Sequence, residues 1–187
     1  MSANTPVMAD FNRVLSRLHL CIYPDLILRQ NCVPVERFDS ALRDLVGELR
    51  LMMRTCLGIG LAAPQAGITE SLFVAEIGGR ALCLANPRII NADGHDEQLE
   101  GCLSLPGFQY QVSRHRRLVV SGFDEHGRKK KMGLTGLWAR VAQHEMDHLK
   151  GVLICDRGTP LEAACGGCPL LDGSFAAPGW SSRKVLQ

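Results

Sequence analysis

The sequence predicts an α+β fold built on a mostly antiparallel sheet. Three observations carry this. A helix-spaced run comes first, a block of short apolar or alternating runs separated by turn signals fills the middle, and a second helical run follows. In the first run, "DSALRDLVGELRLMMRTC", the apolar residues Leu42, Leu45, Val46, Leu49, Met52, Met53 and Cys56 recur at helix spacing. Asp39 can cap its start and Gly58 lies just past its end. Gly47 inside it costs roughly 1 kcal/mol against alanine. The methionines read as core.

The middle block reads as β-structure: "SLFVAEI", "ALCLANPRII", "RLVVSGF" and "KKKMGL", with turns expected at "GGR", "NADG" and "DEHG". "TGLWARVAQHEMDHLKG" reads as a helix. Thr135 is placed to cap it, Leu137, Trp138, Val141 and Leu149 form its apolar stripe, and Gly151 closes it. "VLICD" is expected to be a final strand. From Gly158 onward the chain is rich in glycine, proline and alanine and lacks helical periodicity. This divides the sequence into a main domain at 1–157 and an irregular tail at 158–187.

The 187 residues suit one domain with a tail, and 46% hydrophobic residues are enough for a sizeable core. A formal net charge of +2 does not argue for nucleic-acid readout. The basic runs at Arg114 to Arg117 and Arg128 to Lys131 read first as solvated strand ends and a hairpin tip, and second as a docking patch for an anionic surface such as a ribosome. Several of the eight cysteines lie inside apolar runs, where a thiol behaves as a small core residue. With no signal-peptide pattern and no apolar stretch near the ~20 residues a bilayer requires, the expectation is a cytoplasmic chain with free thiols.

The chemistry is concentrated in "HEMDH". Residues four apart on a helix project from one face, so His144 and His148 can share one metal ion. Glu145 beside them can reach a water without ligating, which is the content of H-E-x-x-H: two neutral imidazoles and a general base. A catalytic site of this kind needs a third protein ligand and an open position. The pattern H-E-x-x-H-x-x-G-x-x-H fails, because Ile154 stands at its last position and no histidine follows His148. A downstream glutamate exists only at Glu162, beside the tail. Both arguments disfavour a metallopeptidase and send the search upstream.

Cys102 in "EGCLSLPG" is the best upstream donor, since a thiolate suits Zn(II) or Fe(II). Taken alone, it reads equally as a core thiol. In "GIGLAAPQAG" two glycines allow close backbone approach, and Gln65 offers an uncharged amide donor for an oxygen that becomes negative. Taken alone, that segment reads as a glycine-rich turn after a helix. The pair Cys165 and Cys168 stands without a second pair and reads as incidental.

Together, "GIGLAAPQ", "EGCLS" and "QHEMDH" resemble, in this order, the three signature motifs of the peptide deformylases. "YPDLILR", "LANPRI" and "GVLICD" agree, and the resemblance covers Leu18 to Arg157. It implies a hydrolase that removes the N-formyl group from the initiator methionine of newly made polypeptides and releases formate. The implied metal ligands are Cys102, His144 and His148, and the implied acid/base is Glu145. The implied oxyanion donors are the Gln65 side chain and the backbone N–H of Leu103. The implied ion is Fe(II), with Zn, Ni or Co able to take its place. The implied fold packs antiparallel sheets around a central helix bearing the histidines. The peptide is expected to lie extended beside Gly58 to Gly60, with the methionine side chain near Ile59, Leu137 and Val141. Arg140 and Gln98 lie close in sequence to these segments and would make the pocket rim more polar. The implied partners are N-formyl-methionyl nascent peptides, met by a monomer with no membrane contact. Two departures stand out: Ala66 where the first motif often has valine, and a tail that cannot form the long basic helix with which some members end.

Overall fold

The computed structural model describes residues 18–161. Two α-helices, α1 (Ser40–Thr55) and α2 (Leu137–His148), enclose one sheet of six strands. The strands are β1 (Gly60–Ala62), β2 (Leu72–Ile77), β3 (Arg80–Cys102), β4 (Leu105–Phe123), β5 (Lys129–Thr135) and β6 (Thr159–Pro160). They run in the order β1-β2-β3-β4-β5, every pairing antiparallel, and β6 adds to β4.

Period-two alternation places both helices. Along β2, Leu72 and Val74 point into the cluster that holds Val46, Leu49 and Met53 of α1. Their neighbours Phe73 and Ala75 point to the opposite cluster, with Val141, Ala142 and Met146 of α2. The strand is buried on both faces, which accounts for its near-continuous apolar sequence. A third cluster joins Cys21 and Leu28 of the N-terminal segment to Cys102, Leu105, Tyr110, Val112, Leu153 and Ile154.

Helix α1 starts where expected: the Asp39 carboxylate accepts from the N–H groups of Ala41 and Leu42 at 3.0 and 3.2 Å. Helix α2 does not use Thr135. Its N-cap is Gly136, at a positive φ of 56°, and no side chain caps it. At its end Gly151, at φ +68°, passes against the backbone of Arg29, so close that an added Cβ would stand 2.4 Å from the Arg29 carbonyl oxygen.

Three local expectations are corrected. "NADG" is no turn: β3 runs through it to Cys102, with the extra length absorbed by register shifts at Ala85/Arg88 and Ile89/Asn91. "VLICD" is no strand: Ile154–Asp156 form a 3-10 turn, with Asp156 accepting from the Leu153 N–H at 2.7 Å. Arg114 in the first basic run is not a solvated charge, being 5% exposed and ion-paired. Of the tail, residues 159–160 pair with Gln111 and Tyr110 of β4. Glu162, Cys165 and Cys168 lie outside the described residues. The six cysteines within them are all unpaired thiols. No helix of the described residues is long and apolar enough to cross a membrane.

Candidate metal centre

Three elements meet at one point. Helix α2 presents His144 and His148 one turn apart, their ring centroids 5.0 Å from each other. Strand β3 ends at Cys102, whose Sγ lies 3.2 Å from Nε2 of His148. The donor atoms of Cys102, His144 and His148 all lie within 4.8 Å of one another. A thiol and two imidazoles, brought together from positions 42 and 46 residues apart in the chain, form a set that suits Zn(II) or Fe(II). Only one of the three, His144, is more than marginally accessible to solvent.

The third element is the 3-10 turn Ala63–Ala66, which follows β1 and carries Gln65. The Gln65 Oε1 accepts from the Ala62 N–H at 2.9 Å, so its amide nitrogen must face the other way. That nitrogen donates to Ser104 Oγ at 3.2 Å and lies 3.6 Å from the Cys102 sulfur. The amide thus points at the Cys102 side of the site from a fixed orientation. Leu103, the residue after Cys102, sits at the β3–β4 turn beside it.

Glu145 is 3% exposed and packs against Gly60 and Val141. Its Oε2 is buried without a hydrogen-bond partner among the described residues. Burial raises its carboxyl group to about 7, against the pull of His144 and Arg114. A carboxylate poised near neutrality with a free oxygen is suited to accept and return a proton.

Behind the histidines lies a buried charge network that the sequence reading missed. Glu100 accepts from Arg114 through both carboxylate oxygens at 2.9 Å, from Arg140 at 2.7 Å, and contacts His144 Nδ1 at 3.0 Å. Burial alone would raise the Glu100 carboxyl; its bonds to Arg114 and His144 outweigh that and hold it down to about 2. An anionic Glu100 on Nδ1 leaves Nε2 of His144 as the free donor, the usual way in which an outer partner orients a ligating imidazole. A signal was available in the sequence: Glu100 and Cys102 are two apart on a strand, hence on one face.

A cleft of about 520 Å³ opens over these groups. Gly58, Ile59, Gly60, Leu137 and Val141 line it, together with Gln65, Cys102, Leu103 and Glu145. His148 lies beneath rather than in the wall, 1% exposed. Arg140 reaches the wall but is spent structurally, on Glu100 and on the carbonyls of Val112 and Asp96. Gln98 is outside the cleft, bonded to Asp96. A polar rim from these two residues does not form.

Known proteins resemble this chain over most of its length. The profile of the polypeptide deformylase family matches residues 17–164. A peptide deformylase of Thermodesulfovibrio yellowstonii is 38% identical over 145 residues, 75% of this chain and 88% of that protein. One from Dictyoglomus thermophilum is 42% identical over 133 residues, 71% of this chain and 87% of that protein. Among solved structures, the peptide deformylase of Thermotoga maritima superposes with a TM-score of 0.75 at 37% identity, covering 76% of this chain and 98% of that one. A peptide deformylase from Synechococcus elongatus, in complex with actinonin, superposes with a TM-score of 0.75 at 41% identity, covering 79% and 81%.

Proposed function

The chain belongs to the polypeptide deformylase family, and from that premise we propose how its own residues carry the reaction. It is a metal-dependent hydrolase that removes the N-formyl group from newly made polypeptides and releases formate. Cys102, His144 and His148 are the residues that would hold the metal, and the convergence of their donor atoms within 4.8 Å is the observation that carries the assignment. A bound divalent ion supplies Lewis acidity and makes water a stronger acid. Fe(II) is the ion we assign as resident, with Zn, Ni and Co also suited to the same donors.

Glu145 takes the proton from the attacking water as that water's oxygen bonds to the formyl carbon. Its raised carboxyl group, near 7, then returns the proton to the amine as the C–N bond breaks. The Gln65 amide and the Leu103 backbone N–H donate to the oxygen that becomes negative in between. The bond from Ala62 to Gln65 Oε1 supports this role, since it fixes which end of the amide faces the site before substrate arrives.

Substrate placement follows from the sheet. β1 ends the pairing order, so its outer edge has no strand partner among the described residues. An extended peptide laid beside Gly58 to Gly60 adds there as a strand. The apolar wall of Ile59, Leu137 and Val141 then receives the methionine side chain. We further infer that the enzyme works as a cytoplasmic monomer on N-formyl-methionyl nascent peptides, that residues 1–157 form its catalytic domain with 158–187 as an appended tail, and that the exposed Lys129 and Lys131 on edge strand β5 face the ribosome.

The decisive experiment is formate release from a formyl-Met-Ala-Ser peptide by anaerobically purified, Fe(II)-loaded protein. Glu145→Gln should keep its metal and lose turnover by ~10²–10⁴-fold. Near-parental turnover in that variant would remove Glu145 from the mechanism.

A further inference from the structure

We propose that the protein carries a second metal site, for a thiophilic divalent cation such as Zn(II), formed by His19, Cys21 and Asp25. Their donor atoms, like those of the first set, all lie within 4.8 Å of one another. His19 and Cys21 are two apart in a segment that is neither helix nor strand, and their side chains converge. A turn closed by the Asp25 N–H on the Ile22 carbonyl at 2.9 Å then folds Asp25 back toward them.

The separations fit an ion. Nε2 of His19 stands 3.6 Å from the Cys21 sulfur. The corresponding edge of a zinc tetrahedron, with Zn–S about 2.3 Å and Zn–N about 2.1 Å, is also about 3.6 Å. The carboxylate is already oriented: its Oδ1 accepts from the Ile27 N–H at 3.1 Å, and a second oxygen remains. The imidazole is braced against the backbone of Gly67, where an added Cβ would sit 3.4 Å from its Cε1 and 3.9 Å from the Cys21 sulfur. Cys21 is 2% exposed and forms the floor, whereas His19 and Asp25 are exposed, so an ion enters from solvent and water completes its shell.

Sulfur, imidazole and carboxylate together select zinc over magnesium or calcium. A metal-bound cysteine is a thiolate, so binding displaces the thiol proton to solvent as the S–metal bond forms. None of the three side chains lines the catalytic cleft. The segment that carries them does brace it from behind: the Cys21 N–H donates to the Gln65 carbonyl at 2.8 Å and the Tyr23 N–H to the Ser104 carbonyl at 2.9 Å. An ion here clamps the segment against which Gln65 and Ser104 are held.

The test begins with holoenzyme carrying one tightly bound ion per chain. It is titrated with Zn(II) against a chromophoric competitor, and separately with Co(II) to read the thiolate-to-metal absorption. One further equivalent should bind. His19→Ala and Asp25→Asn, exposed changes that leave the core intact, should weaken it beyond the ~10–100-fold typical of losing an outer-shell partner. Cys21→Ser should erase the added thiolate band. Formate release by His19→Ala carrying only the first ion should match that of the parent carrying only the first ion, because the second site is then empty in both. The proposal is overturned if no second equivalent binds, or if one binds with unchanged affinity in His19→Ala and Asp25→Asn, which would place it on other donors.

Discussion

Gly60 leaves no room for a side chain. An added Cβ would stand 2.2 Å from Glu145 Oε1 and 2.9 Å from the Val141 side chain, both in the fully packed wall of the cleft. Gly60→Ala must therefore push the Glu145 carboxylate out of place while leaving the fold standing. The expected result is a loss of kcat/KM on the order of 10²-fold, the usual penalty for misplacing a catalytic group by about 1 Å. Formate release alongside a melting curve checks it, and unchanged activity would mean that the carboxylate can work from elsewhere. Cys102, His144, His148, Glu145 and Gln65 were all legible at this scale, because each is a distinctive residue type in a short, fixed spacing. Ser104 and Glu100 were adjacent to those motifs but not singled out, since their roles are defined by the atoms they touch rather than by their own chemistry.

At the scale of the element, α1 holds a residue that could be improved. Gly47 is exposed in mid-helix, and an added Cβ there meets nothing within 4 Å. Gly47→Ala should stabilise the protein by about 0.5–1 kcal/mol, because alanine gives up less backbone entropy on folding. The melting temperature should rise by roughly 1–4 °C, and no rise would mean that the added methyl group disturbs a neighbour.

The β4–β5 hairpin holds a pH-sensitive device. Burial would raise the Asp124 carboxyl group, but the N–H groups of Arg128 and His126 and the side chains of Arg128 and Lys130 outweigh that and hold it well below its ordinary 3.8. A carboxyl group depressed in the folded state contributes stability that is present above its unfolded value and lost as the pH falls through its folded value. Asp124→Asn should therefore cost about 1 kcal/mol at pH 7. The urea stabilities of parent and variant should converge as the pH falls below about 4. Parallel curves down to acid would rule out this carboxylate as the source. The hairpin itself was readable from "DEHG", whereas "NADG" misled: a turn-forming tetrapeptide is overruled when the strand on each side of it finds a partner along β4.

Across the whole molecule, one buried ion network ties β3, β4 and α2 together. Arg114, 5% exposed, joins Glu100 to Asp147, and Arg157 adds a second fork on Asp147 at 2.6 and 3.0 Å. Arg114→Leu leaves Glu100 to Arg140 and His144, and Asp147 to Arg157, and should cost about 3 kcal/mol, the low end for breaking a buried pair, read as a fall in the denaturation midpoint. Metal retention should fall with it, because Glu100 would lose the partner that holds it against His144. A variant of parental stability would show that the network relaxes without loss.

The sequence by itself determined the helix and strand order, the pairing of two histidines on one helical face, and the need for an upstream ligand, because periodicity and i, i+4 spacing are local properties of the chain. Only the tertiary structure decided how near Cys102 comes to the histidines, that Arg114 is a core ion rather than a solvated one, and that Arg140, at the cleft wall, is spent on Glu100 instead of making a polar rim. Those outcomes depend on desolvation and on partners 14 to 46 residues away in the chain, and a buried charge keeps its place only where such partners converge.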